Sequence, residues 1–266
     1  MKTLIIAGIV ALFSTISYAE DNIINIDQIQ SGNNLDLNIF QVGEQNRTEF
    51  TLGGSNIVLE VDQQGTKNKA SWVSYWGPMR QYGGDIDGDN NDIGIYQRNE
   101  ASLTINQNTV GIHIQGDDNT VKIGQGYYAM STDGDATYDY DEAGGHTAIV
   151  DVHADNNRVY ISQSNGKQNI YSGHSATIFS YADNNYIALA QTQDGTKTFT
   201  ATVTSEDSIL EAIQIGSGSH SASVQLSGTE PTTLNMTQQG VNSQQYSLTQ
   251  TCVTVGGCSV TVIQGQ

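Results

Sequence analysis

Apolar residues recur at every second position along much of this chain, and the alternation has a fixed end point. One frame opens on a slot residue, places apolar residues two and four positions on, and closes on Gln at the sixth. Asn91-x-Ile93-x-Ile95-x-Gln97, Asn119-x-Val121-x-Ile123-x-Gln125, Asn157-x-Val159-x-Ile161-x-Gln163 and Asn185-x-Ile187-x-Leu189-x-Gln191 are clear copies. Leu35 to Gln41 and Ile57 to Gln63 keep the spacing with an apolar slot. Ser208 to Gln214, Thr232 to Gln238 and Cys258 to Gln264 extend the series, and Asn22-Ile24-Ile26-Gln28 reads as a partial first copy. Period two puts these residues on one face of a β-strand; a helix would need spacings of three and four.

A second strand type lies between the first. It opens on His or Asn, then a small residue, then alternate apolar residues. Copies are Asn68-x-Ala70-x-Trp72, His146-x-Ala148-x-Val150-x-Val152, His174-x-Ala176-x-Ile178 and His220-x-Ala222-x-Val224-x-Leu226. Asn46 to Leu52 and Lys197 to Val203 are looser. Gly, Asn and Asp cluster between strands, as in Gly53-Gly54-Ser55-Asn56, and tolerate the left-handed backbone of a tight reversal. One coil is therefore strand, turn, strand, turn, and Gln41 to Gln63 marks a coil of 22 residues.

Such a coil cannot bury its own inner face. Stacking coils at about 4.8 Å buries it and pairs the backbone along the stack. This predicts an all-β fold, a β-solenoid of about nine stacked strand-turn-strand coils, roughly 40 Å tall. A buried Gln amide is costly alone. Stacked on another Gln, it donates to the next and accepts from the previous one, which turns the cost into a ladder. The expected ladder residues in this frame are Gln41, Gln63, Gln97, Gln125, Gln163, Gln191, Gln214, Gln238 and Gln264.

Composition sharpens the picture. With Lys+Arg 10 against Asp+Glu 28, the formal charge is −18, which repels nucleic acid and anionic membrane surfaces. Neither is expected as a partner. Only 14% of residues are charged and the two prolines are Pro78 and Pro231, where an average chain would carry about a dozen. Proline cannot donate to a ladder, so its scarcity suits a mostly stranded chain.

At the N-terminus, Lys2, the apolar run from Leu4 to Ile16 and Ser17-Tyr18-Ala19 match a signal peptide over residues 1–19, with the repeat domain over 20–266. No other stretch is long and apolar enough to span a bilayer as a helix. Cys252 and Cys258 both fall on inward positions, two after Gln250 and in a slot. An oxidising compartment permits a disulfide that would staple the last coil; free thiols are the alternative.

The segment Leu35 to Asn68 resembles the curlin repeat of bacterial curli subunits. Gln41-Val42-Gly43-Glu44-Gln45-Asn46 and Gln63-Gln64-Gly65-Thr66-Lys67-Asn68-Lys69-Ala70 follow its Gln-x-Gly-x-x-Asn pattern. The resemblance implies a secreted amyloid fimbria subunit of the cell surface, serving biofilm matrix and adhesion. It implies partners in further copies of the chain, in other curli-type subunits and in a dedicated outer-membrane export pore, and it adds Asn46 and Asn68 to the ladder set. The match is strict over about two coils; Leu52 and Ser74 stand where the family's second Gln would fall. Insertions near 75–90 and 127–145 also depart from the family's regularity.

Other chemistry is weighed and set aside. Asp85-Ile86-Asp87-Gly88-Asp89 opens like a calcium loop, but an EF-hand needs Gly at position six and Glu at twelve, where Asn90 and Tyr96 stand. Asp133, Asp135, Asp139, Asp141 and Glu142 read as a solvated acidic loop, with weak calcium binding at the acidic loops as the alternative. His146, His174 and His220 occupy one repeat slot, which argues against a catalytic or metal group; His113 and His153 are the remaining two. Trp72, Tyr75, Trp76, Tyr82, Tyr127 and Tyr128 border the insertions and read as packing loops onto the solenoid. No nucleophile elbow, phosphate loop or zinc spacing appears, so no enzyme and no cofactor are expected. The rival readings are a monomeric surface-binding solenoid adhesin and a minor, nucleating or capping subunit of a curli-like fibre.

Overall fold

The computed structural model describes residues 24–28, 35–41, 46–53, 56–63, 70, 73–74, 81–82, 85–87, 91–97, 108–114, 118, 120–125, 128–130, 136–138, 145–153, 158–164, 173–181, 184–193, 195–204, 207–228, 232–252 and 259–265. The leader, Asn68, Trp72, Tyr75, Trp76, Asn119, Tyr127, Asn157, Cys258 and the acidic cluster from Asp133 to Glu142 lie outside them.

The strands are β1 (Ile24–Gln28), β2 (Leu35–Gln41), β3 (Thr48–Gly53), β4 (Ile57–Gln63), β5 (Val73–Ser74), β6 (Gln81–Tyr82), β7 (Asp85–Asp87) and β8 (Asp92–Ile95). They continue as β9 (Val110–Ile114), β10 (Thr120–Ile123), β11 (Tyr128–Met130), β12 (Ala136–Tyr138), β13 (Ala148–Val152), β14 (Arg158–Ser162) and β15 (Ser175–Ser180). The last are β16 (Tyr186–Ala190), β17 (Lys197–Thr204), β18 (Ile209–Gln214), β19 (His220–Gly228), β20 (Thr233–Gln238), β21 (Gln244–Cys252) and β22 (Ser259–Ile263).

The chain is an all-β solenoid with two faces. One sheet of nine strands runs β1-β3-β7-β9-β13-β15-β17-β19-β21, and the other runs β2-β4-β8-β10-β14-β16-β18-β20-β22. Neighbours are parallel in both, and the register keeps like residue on like. Val121 sits opposite Val159, which sits opposite Ile187, then Leu210, then Leu234. The inward rows form one continuous thin core, from Ile39, Leu59 and Ile93 to Leu226 and Met236. Each buried aliphatic side chain contributes about 1.5–3 kcal/mol. Because the side-chain period is two, a one-residue slip would expose every one of them, and this fixes the stacking.

Turn chemistry follows the sequence. The residue just before the slot of the second sheet is left-handed in four coils: Asn56, Asp118, Asn184 and Asp207, with φ between 52° and 56°. Asn and Asp tolerate that conformation best among residues with a side chain. At Gly240, φ is +100°, and a Cβ there would lie 2.6 Å from the carbonyl carbon of Gly216 in the coil beneath. The Gln-x-Gly sequence thus lets successive turns stack backbone on backbone.

Three features differ from the sequence reading. Asn22 to Gln28 does not start the glutamine-ending sheet: β1 pairs with β3, placing Gln28 opposite Leu52 in the other sheet. The two sheets share one spacing, so spacing alone does not assign a short terminal strand. Second, the stretch near 75–90 is not wholly an insertion. The β5–β6 hairpin leaves the coil, but Asp85–Asp87 returns as β7 between β3 and β9. Third, the pairing between Gln97 and Asn119 resolves into β9, whose slot is Asn108. Its sequence alternates, Val110-x-Ile112-x-Ile114, while all five of its residues are buried. The β5–β6 hairpin packs against β9, and the β11–β12 hairpin packs against β14.

Candidate functional site

The candidate site is the pair of polar columns bounding the core, together with the ends of the stack. Six glutamines, all buried, close successive strands of the second sheet and hydrogen-bond in sequence. Gln97 Nε2 donates to Gln125 Oε1 at 3.0 Å. Gln125 to Gln163, Gln163 to Gln191, Gln191 to Gln214 and Gln214 to Gln238 repeat the contact at 2.8 Å. The other amide hydrogen crosses the turn: Gln191 donates to the Thr198 carbonyl, Gln214 to Ser221 and Gln238 to Gln245. Gln191 and Gln214 therefore each tie their coil to the next and close their own turn, which leaves these buried amides satisfied.

The row is not continuous over all nine expected positions. Gln63 and Gln41 are bridged by Thr48, which accepts from Gln63 Nε2 at 3.3 Å and donates to Gln41 Oε1 at 3.4 Å. Gln63 makes no amide bond to Gln97; Gln97 Oε1 instead accepts from the Ala70 amide. The β5–β6 hairpin leaves the coil just beyond Ala70, so the break falls at the insertion. Gln264 is solvent-exposed and the bonded row ends at Gln238. Asn46 is buried at the entry to β3.

The second column was only half legible from the sequence. Asn46, Asn108, His146, His174, Lys197 and His220 are all buried and occupy the slot at the head of β3, β9, β13, β15, β17 and β19. Lys197, fully buried, donates to the carbonyls of Gly195 at 3.1 Å and Gly216 at 3.4 Å. The His146 and His174 rings face each other at a tilt, with centroids 4.9 Å apart. Burial pushes the His146 imidazole down to about 3. Burial, then His146 and Lys197, holds His174 well below its ordinary value, and burial followed by Lys197 lowers His220. The sequence frame places five of these six in the slot; Asn108 joins them through the register.

On the opposite edge of the core, Asn185 Nδ2 donates to Ser180 Oγ at 2.8 Å, and Asn91 Oδ1 accepts from the Ile57 amide at 3.2 Å. The first bond closes a turn within one coil, and the second ties one coil to the backbone of another.

Among the described residues both ends of the stack are only partly covered. In the last coil Tyr246, Leu248, Val260 and Val262 line up with the core rows but are only partly covered. At the first coil Ile24, Ile26 and Leu37 are in the same state. The pairing of Cys252 with Cys258 lies outside the described residues. Among the described residues no helix is long and apolar enough to cross a membrane. Comparisons of the chain with family models, with curated proteins and with solved structures return no match.

Proposed function

We propose that the chain is a structural subunit of a secreted, curli-like amyloid fibre that grows by stacking coils head to tail and serves matrix cohesion and cell-surface adhesion. The single observation that carries this reading is the match between the two uncovered ends. Each offers half-covered apolar rows and the unpaired edge of a parallel sheet, which is a template for another chain. Identical coils stacked this way do not close on themselves, so they form a fibre. Burying glutamines in bonded rows rather than behind a charged cap is the chemistry of a cross-β stack. The leader and the curlin-like segment Leu35 to Asn68 support export, with other curli-type subunits and an outer-membrane pore as partners, and the reading assigns no catalysis. A Cys252–Cys258 disulfide would stiffen the end that receives the next copy.

The test is dilution from denaturant into buffer, followed by amyloid-dye fluorescence and electron microscopy. Unbranched fibres, with a lag shortened by preformed seeds, are expected. A β-rich monomer that never polymerises, alone or on seeds, would overturn the reading in favour of a monomeric adhesin. The break in the glutamine row between Gln63 and Gln97 favours one variant, a minor or nucleating subunit; growth only on seeds of a curli-type protein would select it.

A further inference from the structure

The two histidines outside the slot column meet at an acid. His113 on β9 and Asp151 on β13 are register partners on the outward face of the first sheet. His153 follows β13 directly, its amide donating to the Ile114 carbonyl at 2.9 Å. His153 Nε2 lies 2.9 Å from one Asp151 oxygen, and His113 Nδ1 lies 3.5 Å from the other. One ligand atom from each residue can be chosen so that all three lie within 4.8 Å of one another.

We propose that His113, Asp151 and His153 form a binding site for a divalent transition-metal ion of the zinc type. Two imidazole nitrogens and one carboxylate oxygen are a common protein donor set for zinc. With metal–ligand bonds of about 2.0–2.1 Å, tetrahedral ligand atoms stand about 3.3 Å apart; here the two histidine contacts, to different Asp151 oxygens, bracket that value, and one ligand atom from each residue lies within 4.8 Å of the others. A hard cation such as calcium takes six to eight oxygens and is poorly served by two nitrogens. Asp151 is 1% exposed, and a carboxylate buried to that degree is stabilised by a positive partner. His153 is 37% exposed, which leaves an approach from solvent and room for water on the ion. Tyr181, from the next coil, stacks on His153 with centroids 4.7 Å apart and restrains the ring.

The ligands come from successive coils, with the β11–β12 hairpin inserted between them in sequence. A bound ion would therefore clamp β9 to β13 where the chain leaves the solenoid and returns. The site is on an outer face, so it is present whether the chain is dispersed or polymerised. Its test is independent of fibre growth.

The experiment is equilibrium dialysis of the full chain against micromolar Zn²⁺, with bound metal measured by elemental mass spectrometry, and Co²⁺ substitution followed by its visible d–d bands. The expected result is one zinc per chain, no uptake of Ca²⁺ by these residues, and Co²⁺ bands of low-coordinate type. His153→Ala, at a partly exposed position beyond the strand, is expected to weaken binding by about tenfold or more and to abolish the bands. Asp151→Asn, near in shape, is expected to do the same. His220→Asn, in the buried slot column, is expected to leave both unchanged. Absence of stoichiometric zinc, or zinc binding unaltered in His153→Ala, would overturn the proposal and leave the trio as a hydrogen-bonded contact only.

Discussion

A single glutamine in this stack serves two neighbours at once. Replacing Gln163 by Leu removes the acceptor for Gln125 Nε2 and the donor to Gln191 Oε1, leaving buried polar atoms on both sides. Each unsatisfied group costs about 1–3 kcal/mol, so we expect a loss of about 2–5 kcal/mol, read as a shift in the denaturant midpoint. The same change at exposed Gln264 should cost almost nothing. Glycine positions separate in a similar way. Gly240→Ala meets the Gly216 backbone at 2.6 Å and holds φ at +100°, and should cost about 1–3 kcal/mol by the same measurement. At Gly94 a Cβ would meet only the movable ring of Tyr96, so Gly94→Ala should be milder. The glutamine positions could be read from the sequence because they alone combine a fixed slot with a residue type that needs its own kind as a partner. The position of Lys197 was legible but its burial was not, because an ammonium satisfied by turn carbonyls looks in sequence like any solvated lysine.

At the scale of the strand, legibility tracked what covers the outer face. Strands with one solvated face, such as β15, β17 and β20, alternate cleanly, and their bounds could be anticipated. β9 is covered on both faces and β14 nearly so, and there the burial no longer alternates although the sequence of β14 does. The hairpin that covers β9 also breaks the glutamine row, so one insertion blurred both signals. The histidine column belongs to this scale as well, since its properties come from stacking. Unfolded imidazoles take up protons near pH 6.5, whereas folded His146 does so only at about 3. Acid therefore favours the unfolded chain. Stability is complete above about pH 6.5 and falls as pH drops toward 3, with His146 alone removing about 2 kcal/mol by pH 5. Denaturant midpoints measured from pH 7.5 to 4.5 should show this decline. His146→Asn should remove that share of the decline and stay folded, because Asn108 already fills the same slot one coil below.

For the molecule as a whole, the core rows are interchangeable from coil to coil, so the ends decide what the chain becomes. A double substitution Leu248→Lys and Val262→Lys puts charge on the half-covered rows of the last coil. The remaining coils should keep nearly the parent's circular dichroism and melting, while fibre elongation on parent seeds falls at least about tenfold, read by dye fluorescence. Loss of folding in the variant without loss of elongation by the parent would place the effect in the coil and not at the end. All five glutamine contacts run the same way, nitrogen on the earlier coil and oxygen on the later. The column is thus an arrow. A filament built from it inherits a plus and a minus end, cannot anneal tip to like tip without breaking the arrow, and in two-colour imaging should lengthen at unequal rates from its two tips.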